Sequence, residues 1–361
     1  MRGFDITPAL QDIARQLGVP LSGGTDLATR IVAACQQKVE KWCNDLGPVE
    51  SFGDLLDVVS AKLKVHFEIV RSDNDLQEVR DRYMEARETG FINLDSEFDN
   101  FTDAVVLKLV KAEKWSNKQY VAVIDARGSK APRQWFSQWH ELAHLIAEPQ
   151  TKFVFRRTQS SKRDPVERMM DQIAGELAFY SPLFLPALER NNIDLTHPTL
   201  ASIAAFREEE FPFASLQSTI NAVLRYTKVP AILIEAKYEL KKSQQQRLSL
   251  DPSMAPKREL RAVTATHNGL AMKSKFYIHR WMRVPKRSVI SLVYDGNLSE
   301  ISKPQEENLS WWESQDVSLP DWPVLVDAQT AGNGRVLALI TSSRTETKKV
   351  RRPRSPVQAA R

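Results

Sequence analysis

Hydrophobic positions along the chain recur first with a helical period and later with an alternating one. Residues 6–46 predict two helices, broken at Leu21-Ser22-Gly23-Gly24. In the second piece, Asp26–Trp42, Leu27, Ile31, Val32, Cys35 and Val39 fall on one face. Phe52–Leu63 continues as a helix with Phe52, Leu55, Leu56, Val59 and Leu63 aligned, and Val65–Val70 then alternates as a strand. His66 points away from Phe67 and Ile69 there, as an exposed strand residue would. A helix is expected near Asp75–Glu88 within a polar stretch running from Arg71 to Thr102. Tyr120–Ile124 is a continuous apolar run, the mark of a buried strand. Pro132 then introduces a helix over Gln134–Ala147, stopped by Pro149. Asp164-Pro165-Val166 opens a further helix reaching about Tyr180. Leu200–Phe206 and Ser215–Tyr226 read as helices, and Pro230–Ile234 as a short apolar run. Past a polar stretch at Lys241–Ala255 the period becomes strand-like, at Ser288–Tyr294, Val324–Ala328 and Arg335–Ile340. Ala331-Gly332-Asn333-Gly334 forms a turn between the last two.

Composition changes this picture little. A chain of 361 residues, 42% hydrophobic and 26% charged, is an ordinary multidomain globular protein. No apolar run approaches the roughly 18 residues of a membrane span. Met1–Gly18 carries acidic residues instead of a secretory core, so the cytoplasm is the expected compartment. The two cysteines, Cys35 and Cys43, read as free thiols. The formal charge of +5 concentrates at the end: residues 343–361 hold seven cations against Glu346, and the remainder is close to neutral. Such a tail is expected to be solvated and disordered, with a weak nucleic-acid contact as its sharper reading. A helix-turn-helix could also be sought at Asp12–Val19, although packing alone explains amphipathic helix pairs.

The chemistry concentrates in His140-Glu141-Leu142-Ala143-His144. On a helix, histidines four apart share a face and can bind one metal ion, with the adjacent glutamate reaching a water on it. The surrounding Trp135, Phe136, Trp139, Leu142 and Ile146 predict a buried helix, where unsatisfied polar groups are costly and a metal gives them a purpose. A catalytic site needs a third protein ligand. His197, His267, His279 and Glu148 are available. Glu167 is better spaced, since it starts the next helix and Asp171, one turn on, could accept a hydrogen bond from a ligand imidazole. Its ordinary reading is a solvated first-turn carboxylate, and spacing leaves the two nearly even. Tyr180, His267 and His279 are the candidate oxyanion donors, each equally readable as structural.

The segment Arg133-Gln134-Trp135-Phe136-Ser137-Gln138-Trp139-His140-Glu141-Leu142-Ala143-His144 resembles the ImmA/IrrE-type metallopeptidases, and Glu167 to Tyr180 follows their second motif loosely. Glu167, Ala174 and Leu177 match that motif, whereas Asp171 stands where an Asn is usual. The resemblance covers about residues 50–235. It implies His140, His144 and Glu167 as metal ligands and Glu141 as catalytic base. The implied ion is Zn2+, with Mn2+ or Fe2+ also suited to such donors. The fold expected is α+β: a mostly helical zincin-like core with a small sheet, then a smaller strand-rich C-terminal domain. Its divisions are N-terminal helices at 1–47, the metallopeptidase domain at 48–240, a strand-rich and sensor-like part at 256–342, and the basic tail at 343–361.

The function expected is zinc-dependent endopeptidase action on a protein. The family points to a helix-turn-helix repressor of a mobile element or stress response as substrate. The rival is a non-catalytic regulatory module, as in a toxin–antitoxin or phage-defence pair. The intact His-Glu-His-Glu set speaks against it, because Glu141 serves only catalysis.

Overall fold

The computed structural model describes residues 7–23, 26–99, 102–110, 117–148, 155–158, 164–241, 258–274, 276–296, 303–312 and 318–344. The boundary expected at Lys241–Ala255 lies, beyond Lys241, outside the described residues, and so does the tail beyond Arg344. The architecture is α+β, and the chain divides into two compact units. One is Met1–Ile193 with Ala204–Ala222; the other is Asp194–Ile203 with Val223–Arg361.

The first unit opens with three helices, α1 (Pro8–Gln16), α2 (Leu27–Leu46) and α3 (Phe52–Leu63). Local chemistry sets their ends. The Thr7 side chain caps α1, with Pro8 at its first position. Ser51 and Asp54 form a reciprocal capping box on α3, which stops at Lys64 with φ 56°. Next come β1 (Val65–Val70), α4 (Asp73–Glu85), the single turn α5 (Leu94–Glu97), β2 (Thr102–Lys108) and β3 (Tyr120–Asp125). Helix α6 (Gln134–Ala147), strand β4 (Phe155–Thr158), α7 (Pro165–Ala178) and α8 (Ser181–Arg190) complete the run.

The four strands form a sheet in the order β1-β3-β2-β4, with β1 parallel to β3 and the other pairs antiparallel. Alternation sends Val105, Leu107, Val121 and Val123 into a core with Leu76, Val79, Tyr83 and Phe91. The opposite face presents buried Ala104, Val106, Ala122 and Ile124, and α6 packs against β2 and β3. The link from β3 to α6 is tied down electrostatically. Buried Asp125 accepts from Arg127 Nε (2.8 Å) and Lys130 Nζ (2.7 Å), and Lys130 also donates to the carbonyls of Asp99 and Thr102. Arg133 pairs with buried Asp103 on β2 at 3.0 Å. His66 on β1 is half-buried, its Nε2 3.1 Å from Glu68.

The second unit is built on a five-stranded antiparallel sheet. Its strands are β5 (Ala231–Glu239), β6 (Glu259–His267), β7 (Gln305–Asn308), β8 (Pro323–Thr330) and β9 (Arg335–Ser342), in the order β6-β5-β9-β8-β7. The β8–β9 hairpin turns where expected, at Gly332, Asn333 and Gly334, each with a φ between 52° and 69°. Helices α9 (Leu200–Glu210) and α10 (Leu216–Tyr226) also form as expected, and the chain divides between the two units within them. The strand expected at Ser288–Tyr294 is instead a helix, Val289–Tyr294. Its β-branched start suggests a strand, but the first N–H groups are captured: Val289 donates to Glu307 at 2.7 Å and Ile290 to the Ser288 hydroxyl. Val289, Ile290 and Val293 then pack on the sheet with Phe276 and Trp312.

Two stability measurements follow. Lys130→Met leaves Asp125 one cation short in a buried setting, and unfolding by urea should show a loss of about 3 kcal/mol. A loss below about 0.5 kcal/mol would mean that the tie holds nothing. The second concerns His267, whose ring stacks on Tyr277 (4.0 Å between centroids), with Nε2 3.1 Å from the Ile278 carbonyl oxygen and His279 nearby. Burial lowers its pKa from 6.5 to about 4. Between those values the unfolded chain takes up a proton that the folded chain refuses, so stability drops as pH falls through this window. His267→Asn should flatten the drop between pH 6.5 and pH 4; an unchanged slope would place the proton uptake elsewhere.

Candidate metal centre

Helix α6 is buried around most of its circumference, and its motif residues are deepest: His140, Glu141 and His144 are at most 2% exposed. Two contacts from other elements hold this helix. Trp135 Nε1 donates to the Ala178 carbonyl at 3.2 Å, fixing the start of α6 to the end of α7. Lys38 Nζ on α2 donates to the Ile146 carbonyl at 3.0 Å, placing a cation at the negative end of α6. The two helices therefore run antiparallel, and the first turn of α7 lies beside the last two turns of α6.

That first turn carries Glu167. Asp164 caps it by accepting from Val166 N–H at 2.8 Å, and Pro165 stands at the first helical position. The carboxylate spans both rings: Oε2 is 3.2 Å from His140 Nε2, and Oε1 is 3.4 Å from His144 Nε2. One turn on, Asp171 Oδ1 lies 3.0 Å from His140 Nδ1. The structure thus brings together His140, His144, Glu167 and Asp171, with Glu141 buried on the same helix. Among the described residues, His140, His144 and Glu167 are the group whose donor atoms all lie within 4.8 Å of one another.

Protonation suits ligation. Burial alone would raise the Glu167 carboxyl, but the two imidazoles beside it, His140 and His144, outweigh burial and lower its pKa to about 2. Burial lowers the pKa of His144, favouring the neutral ring with a free electron pair. Glu148, just past α6, is raised by burial.

These residues fit a divalent cation. Donors placed tetrahedrally at about 2.1 Å from an ion are about 3.4 Å apart, close to the 3.2 and 3.4 Å seen between ring nitrogens and carboxylate oxygens. The proton count agrees. A neutral His140 ring has one N–H, yet both its nitrogens face carboxylates. If Nδ1–H serves Asp171, an ion between Nε2 and Glu167 resolves the clash of acceptors.

The remaining candidates are elsewhere. His197, His267 and His279 belong to the second unit, and His267 and His279 pack about Tyr277. Tyr180 lines a cavity of about 520 Å³ with Glu40, Cys43 and Pro48, and burial pushes its phenol up to about 12. Sequence reading missed the positioning contacts of Lys38 and Trp135. Neither has a spacing signal, because each depends on a helix end reached only after folding.

Residues 101–208 match the family described as the IrrE N-terminal-like domain, peptidase M78. No curated protein matches the chain. Among solved structures, a Mycobacterium tuberculosis transcriptional regulator aligns at 10% identity with a TM-score of 0.41, over 92% of this chain and 80% of that one.

Metal competition with a chromophoric chelator tests the geometry. Glu167→Ala should abolish stoichiometric binding of a divalent ion. Asp171→Asn, which keeps the shape but alters the hydrogen bond to His140, should weaken it roughly 10–100-fold. Unchanged affinity in Asp171→Asn would remove its orienting role.

Proposed function

We propose, from the premise that residues 101–208 are an IrrE N-terminal-like domain, that this protein is a zinc-dependent endopeptidase with a zincin-like core. The observation that supports it is the placement of one carboxylate, Glu167, against both motif imidazoles, with Asp171 on the far nitrogen of His140. His140, His144 and Glu167 would hold the ion, and Asp171 would fix the His140 tautomer. A bound ion supplies Lewis-acid chemistry, polarising a scissile carbonyl and making water acidic near neutral pH.

The chain's own residues supply the rest. Glu141 takes the proton of the attacking water and returns it to the departing amine, so one buried carboxylate serves as base and then as acid. Its burial on α6 keeps it ordered and away from bulk water. Lys38 and Trp135 keep α6 in register with its neighbours, so that both rings stay aimed at Glu167.

The substrate we propose is a helix-turn-helix repressor of a mobile element or stress response, cut in the cytoplasm. Family resemblance is the support for it, and the metal-site residues are indifferent to substrate identity. The strand-rich residues 256–342 would act as a sensor-like part.

Glu141→Gln separates a peptidase from a contact-only regulator. The variant should retain its metal and lose about 10²–10⁴-fold in cleavage of the co-expressed repressor. Undiminished turnover would remove Glu141 from the mechanism. A regulator that relieves repression equally well with Glu141→Gln would act without hydrolysis.

A further inference from the structure

The second unit holds a cleft that the peptidase reading leaves unused. Its wall is a ribbon laid along the edge strand β6. Trp281 N–H donates to the Ala262 carbonyl (2.7 Å), Ala262 N–H to Met282 (3.0 Å), and Val284 N–H to Leu260 (2.9 Å). Arg261 and Arg283 form an antiparallel bridge in the same ribbon. Beside it lies a cavity of about 690 Å³, within the 300–1,000 Å³ range of small-molecule sites.

The lining is cationic and aromatic. Its lining residues include the cationic Lys241, Arg261, Arg283, Lys286 and Arg287 and the indole-bearing Trp281 and Trp311, and none of the described lining residues is acidic. The nearby carboxylate of Glu259 pairs with Arg261 and with Arg283 (2.7 Å). Among the described residues, one carboxylate stands against five cations, which leaves the cleft positive.

Two features mark it as built. Arg261 is only 1% exposed, although a buried guanidinium is costly. It donates to the Trp281 carbonyl at 3.0 Å and pairs with Glu259, while its Nε has no hydrogen-bond partner among the described residues. Trp281 has φ 75°, a left-handed conformation that is strained for a bulky residue. Such strain persists where surrounding structure enforces it, characteristically at ligand clamps. The Arg287 guanidinium also lies 3.7 Å from the centre of the Trp311 ring, joining a cation to a flat stacking surface.

We infer that this cleft binds a free nucleoside phosphate, with the phosphates on Arg283 and Lys286, buried Arg261 adding its charge from behind them, and the base against the indoles of Trp281 and Trp311. Guanidinium groups match phosphate in bidentate geometry, and indoles stack on any base. The concave shape and the volume suit one nucleotide better than a strand.

Binding to the full-length protein is read by calorimetry and tryptophan fluorescence, with ATP, GTP, inorganic tripolyphosphate and an oligothymidylate as probes. At least one nucleotide should bind with a Kd of about 100 μM or tighter, and tripolyphosphate about ten-fold more weakly, since stacking is lost. Arg283 and Lys286 are exposed, so Arg283→Ser with Lys286→Ser should leave the fold intact. That double variant should weaken nucleotide binding at least about ten-fold, and Trp311→Leu comparably. Four results would each overturn the inference: no nucleotide bound at about 1 mM, tripolyphosphate equal to nucleotide, indifference to the double variant, or an oligothymidylate that outcompetes every nucleotide.

Discussion

One carboxylate held between two imidazoles in a water-poor interior governs the first unit. Partly buried Glu167 faces His140 and His144, whose rings are shut off from solvent. In such surroundings a polar group is either fully partnered or strongly destabilising. The partners therefore have to be brought in from separate elements and held there. Helix α7 arrives with Glu167 and Asp171 on successive turns, and the sheet beneath α6 offers Ala104 and Ala122, small enough to let a helix lie close. Lys38 closes the far end of α6. The salt-bridged link from β3 to α6 performs the same service at the near end, since Asp125 and Lys130 fix where α6 begins.

Within this arrangement Asp171 has more than a structural part. A histidine carries a single proton when neutral, and the carboxylate behind it decides which nitrogen keeps that proton. With the proton on Nδ1 beside Asp171, Nε2 is left with an electron pair 3.2 Å from Glu167 Oε2. The departure of Asp171 from the residue usual in the resembling family thus puts a charge where an amide is more common. A carboxylate accepts the Nδ1–H more strongly than an amide oxygen and makes the ring a better donor to a cation.

Much of this was legible in the chain. The motif helix ends where its pattern says, and Asp164-Pro165 announces α7. Whether Glu167 or a solvated alternative stood beside the histidines was undecidable from spacing, because two helices can meet at many angles and only tertiary packing selects one. Strand β2 was missed for a different reason. Thr102–Lys108 is buried nearly throughout, so it lacks the alternation that marks a half-exposed strand, and it follows a long polar stretch. Strand β6 has little apolar character for a converse reason. Its edge position leaves Thr264 half-buried and Thr266 exposed, and Arg261 is satisfied by Glu259 and by the Trp281 carbonyl of the ribbon. The helix at Val289–Tyr294 shows how few residues can override β-propensity when a buried Glu307 captures the first N–H.

Charge misled in a more general way. Summed over the sequence, the positive excess belongs to the last residues and leaves the rest near neutrality, which argues against an anionic ligand for the folded part. Yet the field at a surface depends on which charges folding places together. Arg261 comes from β6, Arg283, Lys286 and Arg287 from the ribbon beside it, and Trp311 from the turn after β7. Among the described residues, none of that lining is acidic, and Glu259 is the carboxylate paired with two of its guanidinium groups. A stretch of sequence that sums to almost no net charge can therefore hold a strongly cationic cleft. Because Glu259 and the Trp281 carbonyl hold the Arg261 guanidinium beneath that cleft, its charge is fixed in place when the protein folds, before any ligand arrives.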